Sequence, residues 1–157
     1  MSVIKQSVNL FDTNADVLVN AVNTKSVSGC GIALQFKQRY PLTQKLYEEA
    51  CKNGWIKLGI PYIISVPQEE QINDKPKYII CFPTKAAPKR DEKSKLSTIA
   101  NGLEVLKNRC IDGLFPPSYT IAIPKLGCGA GGLKDSDVIK LIEESLKDVS
   151  QTVIICG

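Results

Sequence analysis

The chain has 157 residues, 43% hydrophobic and 23% charged, with a formal net charge of +4, the composition of one ordinary globular domain large enough to bury its own core. No apolar run is long enough to cross a bilayer, and the N-terminal MSVIKQSVNL lacks the apolar stretch of a signal peptide, so the expected location is the cytoplasm, away from membranes. The chain has no histidine and its six cysteines form no CxxC pair, which excludes Ser-His-Asp and Cys-His catalysis and leaves no metal site or cofactor expected.

In chain order, strands are expected over 2–8 (SVIKQSV) and 16–22 (DVLVNAV). A glycine patch, GCG at 29–31, then leads into a helical pattern over 32–40, where Ile32, Ala33, Phe36 and Tyr40 share a face. The stretch after Pro41 suggests a second helix to about Lys52. Strands follow at 61–66 (PYIISV) and 77–82 (KYIICF), and then a polar, proline-punctuated loop at 83–95 (PTKAAPKRDEKSK). Over 95–110 the stripe Leu96, Ile99, Ala100, Leu103, Leu106 and Cys110 predicts a helix, and 119–124 (YTIAIP) a strand. The last helix spans 135–147 on Val138, Leu141, Ile142 and Leu146, with Asp135 and Ser136 as its caps, before a final strand at 151–156 (QTVIIC). Short apolar strands alternating with helices make this an α/β protein with helices on both faces of one sheet, a single domain over 1–157.

Between the strand at 119–124 and the last helix lies GCGAGGL (127–133), which holds four of the chain's eleven glycines. A glycine loop between a strand's carboxyl end and a helix N-terminus offers backbone N–H groups to phosphate. Two such loops would clamp a diphosphate, although either alone would also serve as a tight turn. Neither patch is a GxxxxGK[ST] loop, nor a GxGxxG loop followed by an acidic ribose binder, so ordinary triphosphate and nicotinamide ligands are excluded.

The runs VNAVNTKSVSGCGIALQFKQRYP (19–41), KYIICFPTK (77–85) and IAIPKLGCGAGGL (121–133) together resemble the macrodomain family. They are most similar to the branch that holds the DarG antitoxins and the human terminal ADP-ribose protein glycohydrolase. The resemblance implies a three-layer α/β/α sandwich around a central mixed sheet, with ADP-ribose bound across the sheet's edge. It places ADP-ribose contacts at Asn9, Leu10, Asn20, Asn23, Gly29, Cys30, Gly31, Ile32, Ala33, Thr84, Leu126, Gly127, Cys128, Gly129, Ala130, Gly131, Gly132 and Leu133. Gly131 stands where the human glycohydrolase has an acidic residue and the DarG branch has glycine. Ser26, Ser28 and Cys30 replace the family's usual glycine, methionine and lysine, and Asn9 replaces an aspartate that reads adenine. Lys134 and Asp135 replace the Asp-Trp pair common in that branch, and Asp135 could supply a carboxylate to the site.

Lys85 matches the lysine that enzymes of this branch use on the distal ribose. A neutral lysine amine can attack the anomeric carbon or its open-chain aldehyde, a form that desolvation and nearby positive charge favour. Residues 85–95 carry Lys85, Lys89, Arg90, Lys93 and Lys95 against Asp91 and Glu92, which is three of the chain's four net positive charges. That balance suits a phosphate backbone, with Lys89 and Arg90 as the expected contacts. The implied function is a monomeric glycohydrolase that removes ADP-ribose from a modified macromolecule, single-stranded DNA in the first instance. A non-catalytic ADP-ribose reader and a phosphatase or deacylase of small ADP-ribose derivatives remain open.

Overall fold

The computed structural model describes residues 3–29, 31–86, 93–129 and 131–157. Among them are six strands, β1 (Val3–Gln6), β2 (Val17–Asn23), β3 (Tyr62–Ser65), β4 (Tyr78–Lys85), β5 (Thr120–Ile123) and β6 (Thr152–Cys156). The helices are α1 (Gly31–Arg39), α2 (Pro41–Lys52), α3 (Leu96–Ile111) and α4 (Asp135–Leu146), with short 3-10 turns at Leu10–Asp12 and Gln68–Glu70. The strands form one sheet in the order β1-β6-β5-β2-β4-β3. Every neighbouring pair is parallel except β3 with β4, so the sheet is mixed.

Alternation along the strands sorts side chains into two layers. Val17, Val19, Ile80, Phe82, Ile121 and Ile123 pack against Ile99, Leu103 and Leu106 of α3 and Val138, Ile142 and Leu146 of α4. On the other face Leu18, Ile79 and Ala122 meet Phe36 of α1, and Val22, Ile64 and Cys81 meet Tyr47 and Ala50 of α2. The result is the three-layer α/β/α arrangement. Among the described residues no helix is long and apolar enough to cross a membrane.

Two local expectations are corrected. The segment after Phe82 is not loop at once, because β4 continues through Pro83 and Thr84 to Lys85. Proline is tolerated there because the register with β2 shifts between Val22 and Asn23, so that Val22 faces Pro83 and Asn23 faces Lys85. Helix α4 takes Lys134 as its N-cap residue with no side-chain cap bond, so neither Asp135 nor Ser136 caps it. Asp135 sits instead in the first turn, where its charge still suits the helix dipole.

The connections place the site. From β2 the chain leaves to α1 on one face, whereas from β5 it leaves to α4 on the other. Strands whose connections diverge this way open a crevice at their carboxyl ends.

One glycine tests how tightly the layers fit. Mid-helix glycine ordinarily costs about 1 kcal/mol relative to alanine. A Cβ on Gly102 of α3 would run into the Phe82 ring, which is fully buried. Overpacking costs ~1–3 kcal/mol and outweighs the gain in helix propensity. Gly102→Ala should therefore lower the urea midpoint, with a net loss on the order of 1 kcal/mol. A midpoint equal to wild type or higher would show that the ring yields freely.

Candidate functional site

At the carboxyl ends of β2, β4 and β5 lies a cleft of about 530 Å³. It is walled by Ala21, Val22, Asn23 and Val27, by Gly29, Gly31, Ile32 and Ala33, by Thr84 and Lys85, and by Pro124, Lys125, Gly127, Gly129 and Gly131. Both glycine loops and Lys85 therefore meet at one opening.

The first loop is shaped by Asn23. Its Oδ1 accepts from the N–H groups of Lys25 (2.9 Å) and Val27 (3.3 Å), and its Nδ2 donates to the Val27 carbonyl (2.8 Å). An asparagine that bonds its own loop in this way makes the turn itself. The Asn23 carbonyl accepts from the buried Tyr47 hydroxyl at 2.6 Å; burial pushes that phenol far above the usual tyrosine range. Gln44 of α2 donates to the buried Ser28 hydroxyl at 3.1 Å, and Thr24 Oγ1 donates to the Ala86 carbonyl at 2.6 Å. The first loop is thus tied to α2 on one side and to the end of β4 on the other.

The second loop is two turns in tandem. Cys128 N–H donates to Lys125 O (3.2 Å), Gly132 N–H to Gly129 O (3.1 Å), and Leu133 N–H closes back on Gly127 O (3.0 Å). Ser94 N–H donates to Gly131 O at 3.0 Å, which pins the loop to the segment before α3. Among the described residues, the N–H groups of Gly127, Gly129 and Gly131 meet no acceptor.

The glycines of this loop do different work. Gly127 (φ +75°) and Gly132 (φ +78°) adopt left-handed backbone that side chains disfavour. At Gly131 a Cβ would overlap the Gly127 carbonyl and the Ser94 hydroxyl, so bareness there serves the loop's own packing. At Gly129 nothing lies within 4 Å of that position. Its open side belongs to the cleft.

Other expected residues fall elsewhere. Asn20 lies mid-strand on the α1/α2 face beside Tyr47 and Cys81, buried, its Oδ1 without a partner and outside the cleft wall. Asn9 caps the first 3-10 turn, its Oδ1 accepting from Phe11 N–H at 2.9 Å, and Leu10 is buried with Leu18 and Phe36. Leu126 is core, Leu133 packs against that core, and Gly132 faces the stem of Lys93. Cys128 sits beside Asp135, and burial, reinforced by that carboxylate, pushes its thiol up to about 11. Cys30, Lys89, Arg90 and Ala130 lie outside the described residues.

Lys125 and Ser94 carry no expectation from the sequence. Lys125 Nζ donates to Asp135 Oδ2 and to the Gly157 carbonyl, both at 3.1 Å. The Lys125 hydrogen bond holds the Asp135 carboxyl below the usual carboxylate range. Asp135 is therefore engaged outside the cleft wall, which among the described residues carries two lysines and no carboxylate. A signal for Lys125 existed, since it follows β5 much as Lys85 ends β4. A serine between two lysines gives none for Ser94, which is nevertheless buried with its hydroxyl unpartnered.

Comparison with known proteins agrees with this geometry. The family model described as Macro domain matches residues 19–142. A protein of Mycobacterium tuberculosis named DNA ADP-ribosyl glycohydrolase is 44% identical over 133 residues, covering 83% of this chain and 34% of that protein. One of the same name from Thermus aquaticus is 37% identical over 139 residues, covering 88% and 36%. The chain thus spans about a third of the length of these curated relatives. Among solved structures, the macrodomain of Mycobacterium tuberculosis DarG superposes with a TM-score of 0.87 at 35% identity, over 99% of this chain and 97% of that one. Thermosipho africanus DarTG in complex with ADP-ribose gives a TM-score of 0.84 at 26% identity, over 99% of this chain and 41% of that one. With most of its length matched by the family model and its three layers superposed on a solved relative, the chain belongs to the Macro domain family.

Proposed function

We propose that the chain binds ADP-ribose in this cleft and hydrolyses the bond joining it to a base of DNA, acting in the cytoplasm. The observation that carries the reading is the convergence of both glycine loops and Lys85 on one opening. Similarity to proteins named DNA ADP-ribosyl glycohydrolase, and to a structure that contains ADP-ribose, supports it. The diphosphate lies along the backbone amides of the second loop. The distal ribose then reaches the end of β4, where Lys85 ends the strand.

The chemistry needs a neutral Lys85 amine. Nζ adds to the anomeric carbon as the bond from that carbon to the base nitrogen breaks. The electron pair leaves with the base, which takes up a proton. Water then adds to the same carbon and expels the amine, returning free ADP-ribose and the lysine. A second reading, a binder without turnover, is favoured by one observation: among the described residues the cleft wall holds no carboxylate to activate that water.

Lys85→Ala separates the two. Turnover of an ADP-ribosylated oligonucleotide should fall about 100-fold or more, with free ADP-ribose affinity within about twofold of wild type. A variant that keeps the wild-type rate would remove Lys85 from the chemistry. If wild type itself turns over no ADP-ribosylated oligonucleotide, protein or small derivative, the binder reading stands.

The cradle is tested at Gly129, where an added Cβ would have no neighbouring atom within 4 Å. Gly129→Glu places bulk and negative charge against the diphosphate, so calorimetry should show ADP-ribose affinity reduced more than about tenfold with an unchanged circular dichroism spectrum. Unaltered affinity would mean the phosphates lie elsewhere. Gly131 is the poorer probe, since a Cβ there collides with the loop itself.

A further inference from the structure

Beside the cleft lies a second cavity of about 610 Å³, which shares Thr84 and Lys85 with it. Lys85 therefore stands at the junction of two chambers. The proposed substrate also has two parts, joined at the carbon that Lys85 attacks. With ADP-ribose in the first chamber, what it is attached to extends into the second.

The walls of the second chamber present donors. Lys93 and Lys95 line it beside Ser97 and Thr98, and among the described residues no acidic residue does. The 16-residue helix α3 begins here, with Lys95 as N-cap residue, no side-chain cap and no acid in its first turn. Thr98 and Ile99 N–H both turn back to the Lys95 carbonyl, whereas among the described residues the N–H groups of Leu96 and Ser97 have no acceptor. Ser94, 6% exposed and lining the same chamber, has a buried hydroxyl without a partner. An uncapped helix start flanked by lysines favours an anion.

One surface is apolar. Leu58 lines the chamber at 46% exposure. It is held in place because its neighbour Gly59 donates to Pro83 O at 3.1 Å and accepts from Asn101 Nδ2 at 3.0 Å. A single modified carboxylate on a protein would leave most of these donors without a partner. A nucleotide strand supplies repeated phosphates for the donors and a base or sugar face for Leu58.

We propose that this second chamber is the acceptor-strand subsite, in which Lys93 and Lys95 hold phosphates flanking the modified base while Leu58 supports the sugar and base. The proposal rests on the DNA reading of the first cleft, and its test keeps the two apart. Binding of a labelled, unmodified single-stranded oligonucleotide would be followed by anisotropy across a salt series for wild type and Lys93→Gln/Lys95→Gln. Lys45→Gln/Lys52→Gln, on α2 across the sheet, removes the same net charge as a control. The plot of log affinity against log salt should flatten by about 1.4 in the chamber variant, about 0.7 for each phosphate no longer neutralised, and stay unchanged in the control. The chamber variant should also lose about tenfold in kcat/KM on an ADP-ribosylated oligonucleotide, and less than about twofold on the ADP-ribosylated nucleoside, which has no flanking phosphate. An unchanged slope, equal flattening in the control, or an equal kcat/KM loss on an ADP-ribosyl-glutamyl peptide overturns the subsite. If the slope flattens but wild type cleaves no modified oligonucleotide, the subsite stands and the glycohydrolase reading fails.

Discussion

The parallel pairing of β2 with β4 on one side and β5 on the other is the constraint on which the site depends. Three neighbouring strands running in the same direction deliver their carboxyl ends to one edge. The loops from β2 and β5 then diverge to opposite faces, and the gap between them is the cleft. β2 can occupy that central place because Val17, Val19, Leu18 and Val22 give it an apolar surface towards both layers. A polar residue on either face would meet packed helix. Asn20 does so, and its buried oxygen has no partner.

Both walls of the cleft are shaped mostly by their own hydrogen bonds. Asn23 uses its side chain on the backbone of residues 25 and 27, and α2 fixes the same loop through Ser28 and Tyr47. Ser28 is buried, and its contact with Gln44 gives it a packing role. In the second loop, Gly127 and Gly131 let the chain approach itself and Ser94, which leaves Gly129 with its face open. Preorganised amides need no rearrangement when an anion arrives.

Charge is distributed to match. Asp135 is drawn onto Lys125 at the rim, so among the described residues the cleft wall presents cations and amides without a competing carboxylate. Asp135 is largely exposed, so this pair contributes little to stability, and its effect is on the field near the loop. Lys85 lies between two chambers, and among the described residues neither wall carries an acidic residue.

Periodicity and punctuation alone determined much of this protein: the six strands and four α-helices of the described residues, and two glycine patches at strand-to-helix junctions. These are local properties, set by alternation along a strand and by the reach of a helical turn, so they can be read without knowing what packs where. The ordered runs around Asn23, Lys85 and Gly127–Leu133 likewise carried the family resemblance. Tertiary structure alone decided the rest. Strand order and the antiparallel edge β3 arise from pairing between distant segments. The extension of β4 through Pro83 depends on a register shift in β2 that no property of residues 83–85 announces. Asp135 is a salt-bridge partner and not a cap because Lys125, ten residues away, folds against it. Ser94 and Leu58 line a chamber with Lys85 only because α3 and the strand before it meet there, and side chains from three separate segments share a wall only after the core has brought them together.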